Sequence, residues 1–346
     1  AFHKLMPYYY FRYGKNGEIS NGSFCGNDID SLMPMCSKYI VDSIKRWSSF
    51  YGVDGYRFDL MGILDIETMN KLYEAAKEIN PSTIIYGEGW NMPSLIDDEL
   101  KAAQFNNKKL PGIGFFNDRF RDRVKGATMA GDVAVKGYAT GLNKHLNVLC
   151  DVIKGTSLPV NYGYEYQSPN QVINYVECHD NYTLHDFIKV LNPKISDETL
   201  NDYLCLAMGM VMVSQGVPFI HAGQEFFRTK QGVENSYCSP DSINKIDWTR
   251  ADMNWEYVEM LRDLIAIRKE YNVFHYDRNS VIKERIKLRN LDITSQTLRL
   301  TYRSVDYKLY VIIKNDYKYE YIDFKDIVTL IFDGRKRVSK VRGSIE

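Results

Sequence analysis

The 346 residues carry 44 lysines and arginines against 44 acids, so the chain is formally neutral and lacks the basic excess a nucleic-acid partner requires. Aromatic residues make up 13% of it, with 26 tyrosines, which suits flat, hydroxylated ligands such as carbohydrate or, equally, a tyrosine-rich core. No run of 18 uninterrupted apolar residues occurs, so no membrane helix is expected.

Cysteines stand at 25, 36, 150, 178, 205 and 238 without a CxxC pair. That spacing suits neither a zinc site nor a small disulfide scaffold, and leaves reduced thiols in a cytoplasmic protein as the expectation. No signal peptide opens the chain. It begins at Ala1 rather than Met, consistent with an upstream part having been removed.

In chain order, Pro34 starts a segment in which Ile40, Val41, Ile44 and Trp47 follow helical spacing, and Gly52 stops it. Val53–Phe58 reads as a strand. Asp65 reads as the N-cap of a helix with Ile66, Met69, Leu72, Tyr73, Ala76 and Ile79 on one face. Asn80–Ser82 breaks it, and "TIIYGEGW" (Thr83–Trp90) is the next strand. Gly112–Asp122 is a third strand candidate and Val172–Asp180 a fourth. A helix apolar nearly all round covers roughly Leu200–Ser214 and should be buried. Val217–Glu225 is a fifth strand, and a last helix carries Val258, Leu261, Leu264 and Ile265. Strand and helix in alternation mean parallel βα units. Beyond Phe274 no helix pattern returns, and "QTLRLTYRS" (Gln296–Ser304) and "KLYVIIKNDY" (Lys308–Tyr317) read as an antiparallel β domain. The expected domains are therefore 1–274 and 275–346.

Chemistry concentrates where the apolar strands end. "GVDGYRFDLMG" (Gly52–Gly62) holds Arg57 and Asp59 two residues apart, hence on one face of a strand. Glu88 follows the second strand, and His179 with Asp180 follows the fourth. In a βα barrel the C-terminal strand ends carry the active site. Any one such acid is more often a helix cap or salt-bridge partner. Three in succession, each in an aromatic and glycine setting, favour chemistry. Burying acids together is costly unless they are paired or neutralised, so Arg57 is expected to keep Asp59 ionised. Glu88, beside Tyr86 and Trp90, is the candidate for a raised pKa. Two carboxylates with split proton affinities are the machinery of glycoside hydrolysis.

"GYRFDLMG", "YGEGW" and "VECHDNYTLHD" resemble three signature regions of the debranching branch of the α-amylase superfamily, type I pullulanases above all. "YYYFRYGKNGEISNGSFCGND" and "AGQEFFRTKQGVENSYCSPDSINKIDW" resemble segments of the same family, so the likeness spans most of Pro7 to about Ile267. It implies a retaining hydrolase of α-1,6 branch linkages in pullulan or branched α-glucans. Asp59 would be the nucleophile, Glu88 the general acid/base and Asp180 the third acid. Arg57 would fix Asp59, and His179 would bond sugar hydroxyls. Trp90 would offer a ring face to glucose, with a core tryptophan as the alternative. Asn235 and Asp241 would line the pocket, with turn formation as the alternative. His221 reads as a satisfied structural histidine. Six histidines without paired spacing argue against a catalytic metal, and no cofactor is expected.

The family's earlier signature, at the end of the third barrel strand, is missing from this sequence. The five strands match the fourth to eighth of a (β/α)8 barrel, so the expected fold is α/β: a TIM-type barrel lacking its first three strands in this chain, plus the C-terminal antiparallel domain. Such an edge favours a complementing N-terminal segment or self-association, and could leave the chain inactive alone. The rival readings are an α-1,4-cleaving amylase and a non-catalytic glucan-binding or interaction fragment.

Overall fold

The Pro34–Tyr51 helix ends where Gly52 takes a left-handed conformation (φ 64°) and returns its N–H to the Trp47 carbonyl. Only a residue without Cβ enters that conformation at no steric cost, so the expected stop is a C-cap. The next helix, Ile66–Ile79, begins at Asp65, whose carboxylate accepts from the Thr68 N–H at 2.8 Å. Met69, Leu72, Ala75 and Ala76 form its buried stripe.

The computed structural model describes residues 2–129, 133–142, 146–155, 165–290, 297–316 and 322–345. Gln296 and Tyr317, at the outer ends of the two expected C-terminal β runs, lie outside them. In chain order the strands among these residues are β1 (Gly55–Phe58), β2 (Ile84–Gly87), β3 (Ile113–Phe116), β4 (Gly126–Met129), β5 (Val133–Lys136), β6 (Val172–Asn174), β7 (Val217–Pro218), β8 (Ile286–Asn290), β9 (Leu298–Arg303), β10 (Lys308–Ile313), β11 (Ile322–Phe332) and β12 (Arg337–Ile345).

The chain divides into two compact units, 1–116 with 159–173, and 117–158 with 174–346. In the first, β1, β2 and β3 pair in parallel, and β3 pairs with Val172 and Ile173 of β6. These are βα units: the helices follow β-strand ends, and Met61, Met69, Leu72, Ile85, Ile113 and Phe115 make the core between layers.

The second unit takes over at Asn174, the last residue of β6, whose carbonyl accepts from the Phe219 N–H just past β7. Its helices include Asp118–Val124, Leu184–Leu191, Asp197–Val213 and Trp255–Glu270. Arg268, buried, donates to the carbonyls of Met212, Ser214, Gly216 and Phe274, closing the turn that leads into β7. β10, β9 and β8 form an antiparallel sheet in that order, and β11 pairs antiparallel with β12. Leu298, Leu300 and Tyr302 alternate inward from β9 and join Val211, Met260 and Phe274 in one core.

Four local expectations need correction. The Gly112–Asp122 run is a strand only to Phe116, because the Asn117 side chain caps a helix by accepting from the Phe120 N–H. The runs Val172–Asp180 and Val217–Glu225 are strands for three and two residues, after which the chain turns into loops. A helix does return after Phe274, at Asn279–Arg285; with Ile282 its one buried residue, it leaves no apolar period to read.

Candidate active site

In the first unit, β1 delivers Arg57 and β2 delivers Glu88 to neighbouring positions, since Arg57 stands in register with Tyr86. The Arg57 guanidinium bridges two carboxylates. One terminal nitrogen pairs with Asp59 and the other lies 2.6 Å from Glu88 Oε1. The remaining Glu88 oxygen accepts the Leu60 N–H at 3.0 Å. The environments of the two acids differ sharply: the Asp59 side chain is 61% exposed and that of Glu88 7%. A buried carboxylate is tolerable when it is paired and hydrogen-bonded, which Arg57 and Leu60 together achieve for Glu88. The Phe116 ring lies under Arg57, 5.4 Å from its guanidinium carbon.

Backbone geometry supports the arrangement. Leu60, directly after Asp59, is left-handed (φ 45°), a conformation that costs free energy for a branched side chain and aims its N–H at Glu88. Gly62 donates its N–H to the Glu88 carbonyl, and a Cβ there would meet the Trp90 carbonyl oxygen at 1.9 Å. Trp90 itself is half-buried.

The second unit holds the other predicted residues. His179 Nε2 lies 3.3 Å from Asp180 Oδ1, and both side chains are exposed. Asn181, next in sequence, is left-handed (φ 62°). Asn235 and Asp241 are exposed, Asp241 opening the short Asp241–Asn244 helix. His221 is satisfied: its Nδ1 stands 2.7 Å from Glu177 Oε1, while Glu177 Oε2 accepts the Leu184 N–H that opens a helix.

Several residues here escaped the sequence reading. Asp186 accepts from the Thr229 hydroxyl at 2.5 Å and the Lys230 N–H at 2.7 Å. Burial would raise its pKa, but hydrogen bonds from His185, Thr229, Lys230 and Gly232 outweigh that and hold it at about 2. Lys230 Nζ donates to the His179 carbonyl at 2.8 Å, and Lys125 Nζ to the Tyr182 carbonyl at 3.2 Å. Burial pushes the Lys125 ammonium down to about 8 against the opposing pull of Glu177, and lowers Lys230 as well. Glu177 and Asp186 sit inside the "VECHDNYTLHD" run, so a signal for them existed. A buried lysine has no spacing signature.

No family model matches the chain. It is similar to the pullulanase of Bacillus subtilis (strain 168), at 40% identity over 329 residues, which cover 95% of this chain and 44% of that protein. It is also similar to the chloroplastic pullulanase 1 of Arabidopsis thaliana, at 32% identity over 305 residues, 73% of this chain and 31% of that one. Among solved structures it is similar to the pullulanase of Anoxybacillus sp. LM18-11 complexed with maltotetraose, with a TM-score of 0.93, 38% identity, and coverage of 99% of this chain and 50% of that one. The type I pullulanase of Bacillus subtilis str. 168 complexed with maltose gives a TM-score of 0.94 at 36% identity, over 99% of this chain and 49% of that one. The chain thus spans half or less of the length of these relatives.

Proposed function

For a chain homologous to pullulanases along nearly its whole length, we propose the role of a debranching glycoside hydrolase, cutting α-1,6 bonds in branched α-glucans with retention of configuration. The observation that carries this is the shared guanidinium: Arg57 binds an open carboxylate, Asp59, and a buried one, Glu88. Retaining glycosidases need two carboxyl groups only about 5–5.5 Å apart, and two acids held on the two ends of one guanidinium suit that spacing. The malto-oligosaccharides seen with two of the solved relatives support an α-glucan as the ligand.

In this reading Asp59 attacks the anomeric carbon and forms a glycosyl ester. Glu88 protonates the departing glycosidic oxygen, then removes a proton from the water that cleaves the ester. As the acid, Glu88 donates a proton from one oxygen, and its other oxygen keeps acceptor capacity for Arg57. Asp180, with His179 beside it, takes the third position and supports the positive charge that develops on the sugar ring. The strands β1, β2, β3, β6 and β7, neighbours in that order in one sheet, correspond to the fourth to eighth of a barrel. The edge at β1 and the exposed Trp47, Phe50 and Tyr51 on the preceding helix support that correspondence.

Pullulan is the test substrate, given to the chain and to a form extended N-terminally by the matching region of the Bacillus subtilis relative. Release of maltotriose units is expected, because only α-1,6 cleavage produces them. Glu88→Gln should lower turnover by roughly 10²–10⁴-fold, the usual share of general acid–base catalysis, and keep maltotriose binding. Undiminished turnover in Glu88→Gln, or products of α-1,4 cleavage, would overturn the reading.

A further inference from the structure

Four consecutive residues, His179 to Tyr182, are gripped from two sides by buried lysines. Lys230 Nζ donates to the carbonyl of the first, at 2.8 Å, and Lys125 Nζ to the carbonyl of the last, at 3.2 Å. Both lysines are 4% exposed or less. Between the two gripped carbonyls lie Asp180 and the left-handed Asn181. Resting on the debranching reading, we propose that Lys125 and Lys230 are positioning residues for Asp180, clamping the segment that presents it to the substrate.

The clamp is anchored at both ends. The Lys125 carbonyl accepts from the Gly137 N–H at 3.1 Å and from the Thr140 hydroxyl at 2.7 Å, which fixes its backbone. Its ammonium also lies 4.9 Å from the Phe187 ring centroid. Lys230 is held by its own N–H on Asp186. Burying an ammonium costs free energy that a serine or asparagine donor would avoid, and this segment takes two. Lys230 is drawn electrostatically to Glu177 and Asp180. The charged and titratable groups around Lys125 are Glu177, Arg121, Asp122 and Cys178. Phe187 completes its surroundings without charge.

The variants are Lys125→Met and Lys230→Met, with Lys230→Arg as the form that restores a cationic donor. Hydrogen exchange read by mass spectrometry over 178–184 should speed up by about tenfold or more in the Met variants, with the rest of the second unit unchanged, as for a local opening. Lys230→Arg should recover much of the protection. In the extended form, kcat on pullulan should fall by about ten- to a hundredfold while KM stays within about threefold, as a misplacement near 1 Å predicts. A lysine with a merely structural role would loosen the unit throughout, or move KM and kcat together. Unchanged exchange over 178–184 overturns the clamp whatever the activity. Glu88→Gln run in parallel separates the two ideas: if it keeps full turnover the debranching reading falls, while the exchange result still decides whether the lysines hold the loop.

Discussion

Lys125 shows what a single residue can cost. Its ammonium is buried, and the proton it would hold to about pH 10.5 in the unfolded chain leaves at about 8 in the folded one. Between those values the unfolded chain binds more protons, so this group's contribution to stability rises with pH. Below about 8 both states are charged and the full penalty stands, on the order of 3 kcal/mol for a shift of this size. Lys125→Met removes that penalty and loses one hydrogen bond worth about 1 kcal/mol. The variant should therefore be at least as stable as the parent at pH 7, with its advantage shrinking as pH rises from 8 to 10.5. Urea unfolding at pH 7, 8, 9 and 10 measures it. A Met variant weakened at pH 7 would mean the lysine is held for stability, against the positioning argument. At this scale the sequence showed the groups whose address is a strand end: Arg57 and Asp59 share a face two residues apart, and they pair. It hid Lys125 and Lys230, whose meaning comes from carbonyls 57 and 51 residues away in the chain.

Elements with a local cause were legible, and those ended by tertiary contacts were not. The Ile66–Ile79 helix starts where Asp65 can cap it and continues while its apolar stripe lasts. The Asp65 N–H in turn donates to the Ser31 hydroxyl oxygen at 3.0 Å, so the cap is tied to the preceding loop. Asp65→Ala should destabilise the first unit by about 1–2 kcal/mol, the value of a lost cap, and Asp65→Asn by less. Thermal or urea midpoints for the two variants check this, and equal midpoints for parent and Ala variant would show that the cap contributes nothing. By contrast, β7 is two residues long, and the Gly216 carbonyl just before it goes to Arg268, which nothing in "VPFIHAGQE" announces. The three-residue β6 likewise stops at Asn174, whose amide turns to the Gln215 carbonyl at 2.6 Å. The alternation in β9 was plain, because Leu298, Leu300 and Tyr302 face one core from one strand.

For the molecule as a whole, the decisive feature is where apolar surface stays open. Among the described residues β1 stands at the end of the strand order, with β2 as its paired neighbour. On the helix before it Met35, Tyr39, Trp47, Phe50 and Tyr51 are all about half exposed or more. An unpaired strand edge and a row of exposed aromatic side chains both favour a partner surface, since pairing satisfies the backbone and burial removes apolar area from water. In the function proposed above the occupant is the remainder of a barrel, and the relatives are about twice as long as this chain. Filling it would fix β1, and with β1 the Arg57–Asp59 pair at its end. Turnover depends on that placement more steeply than binding does, because about 1 Å of error costs on the order of a hundredfold in rate. The N-terminally extended form should therefore exceed the chain alone by about that factor in kcat on pullulan, remain monomeric where the chain alone self-associates, and bind less of a hydrophobic dye. Steady-state kinetics, light scattering and dye fluorescence measure the three, and equal kcat in the two forms would show that the open edge has no bearing on catalysis.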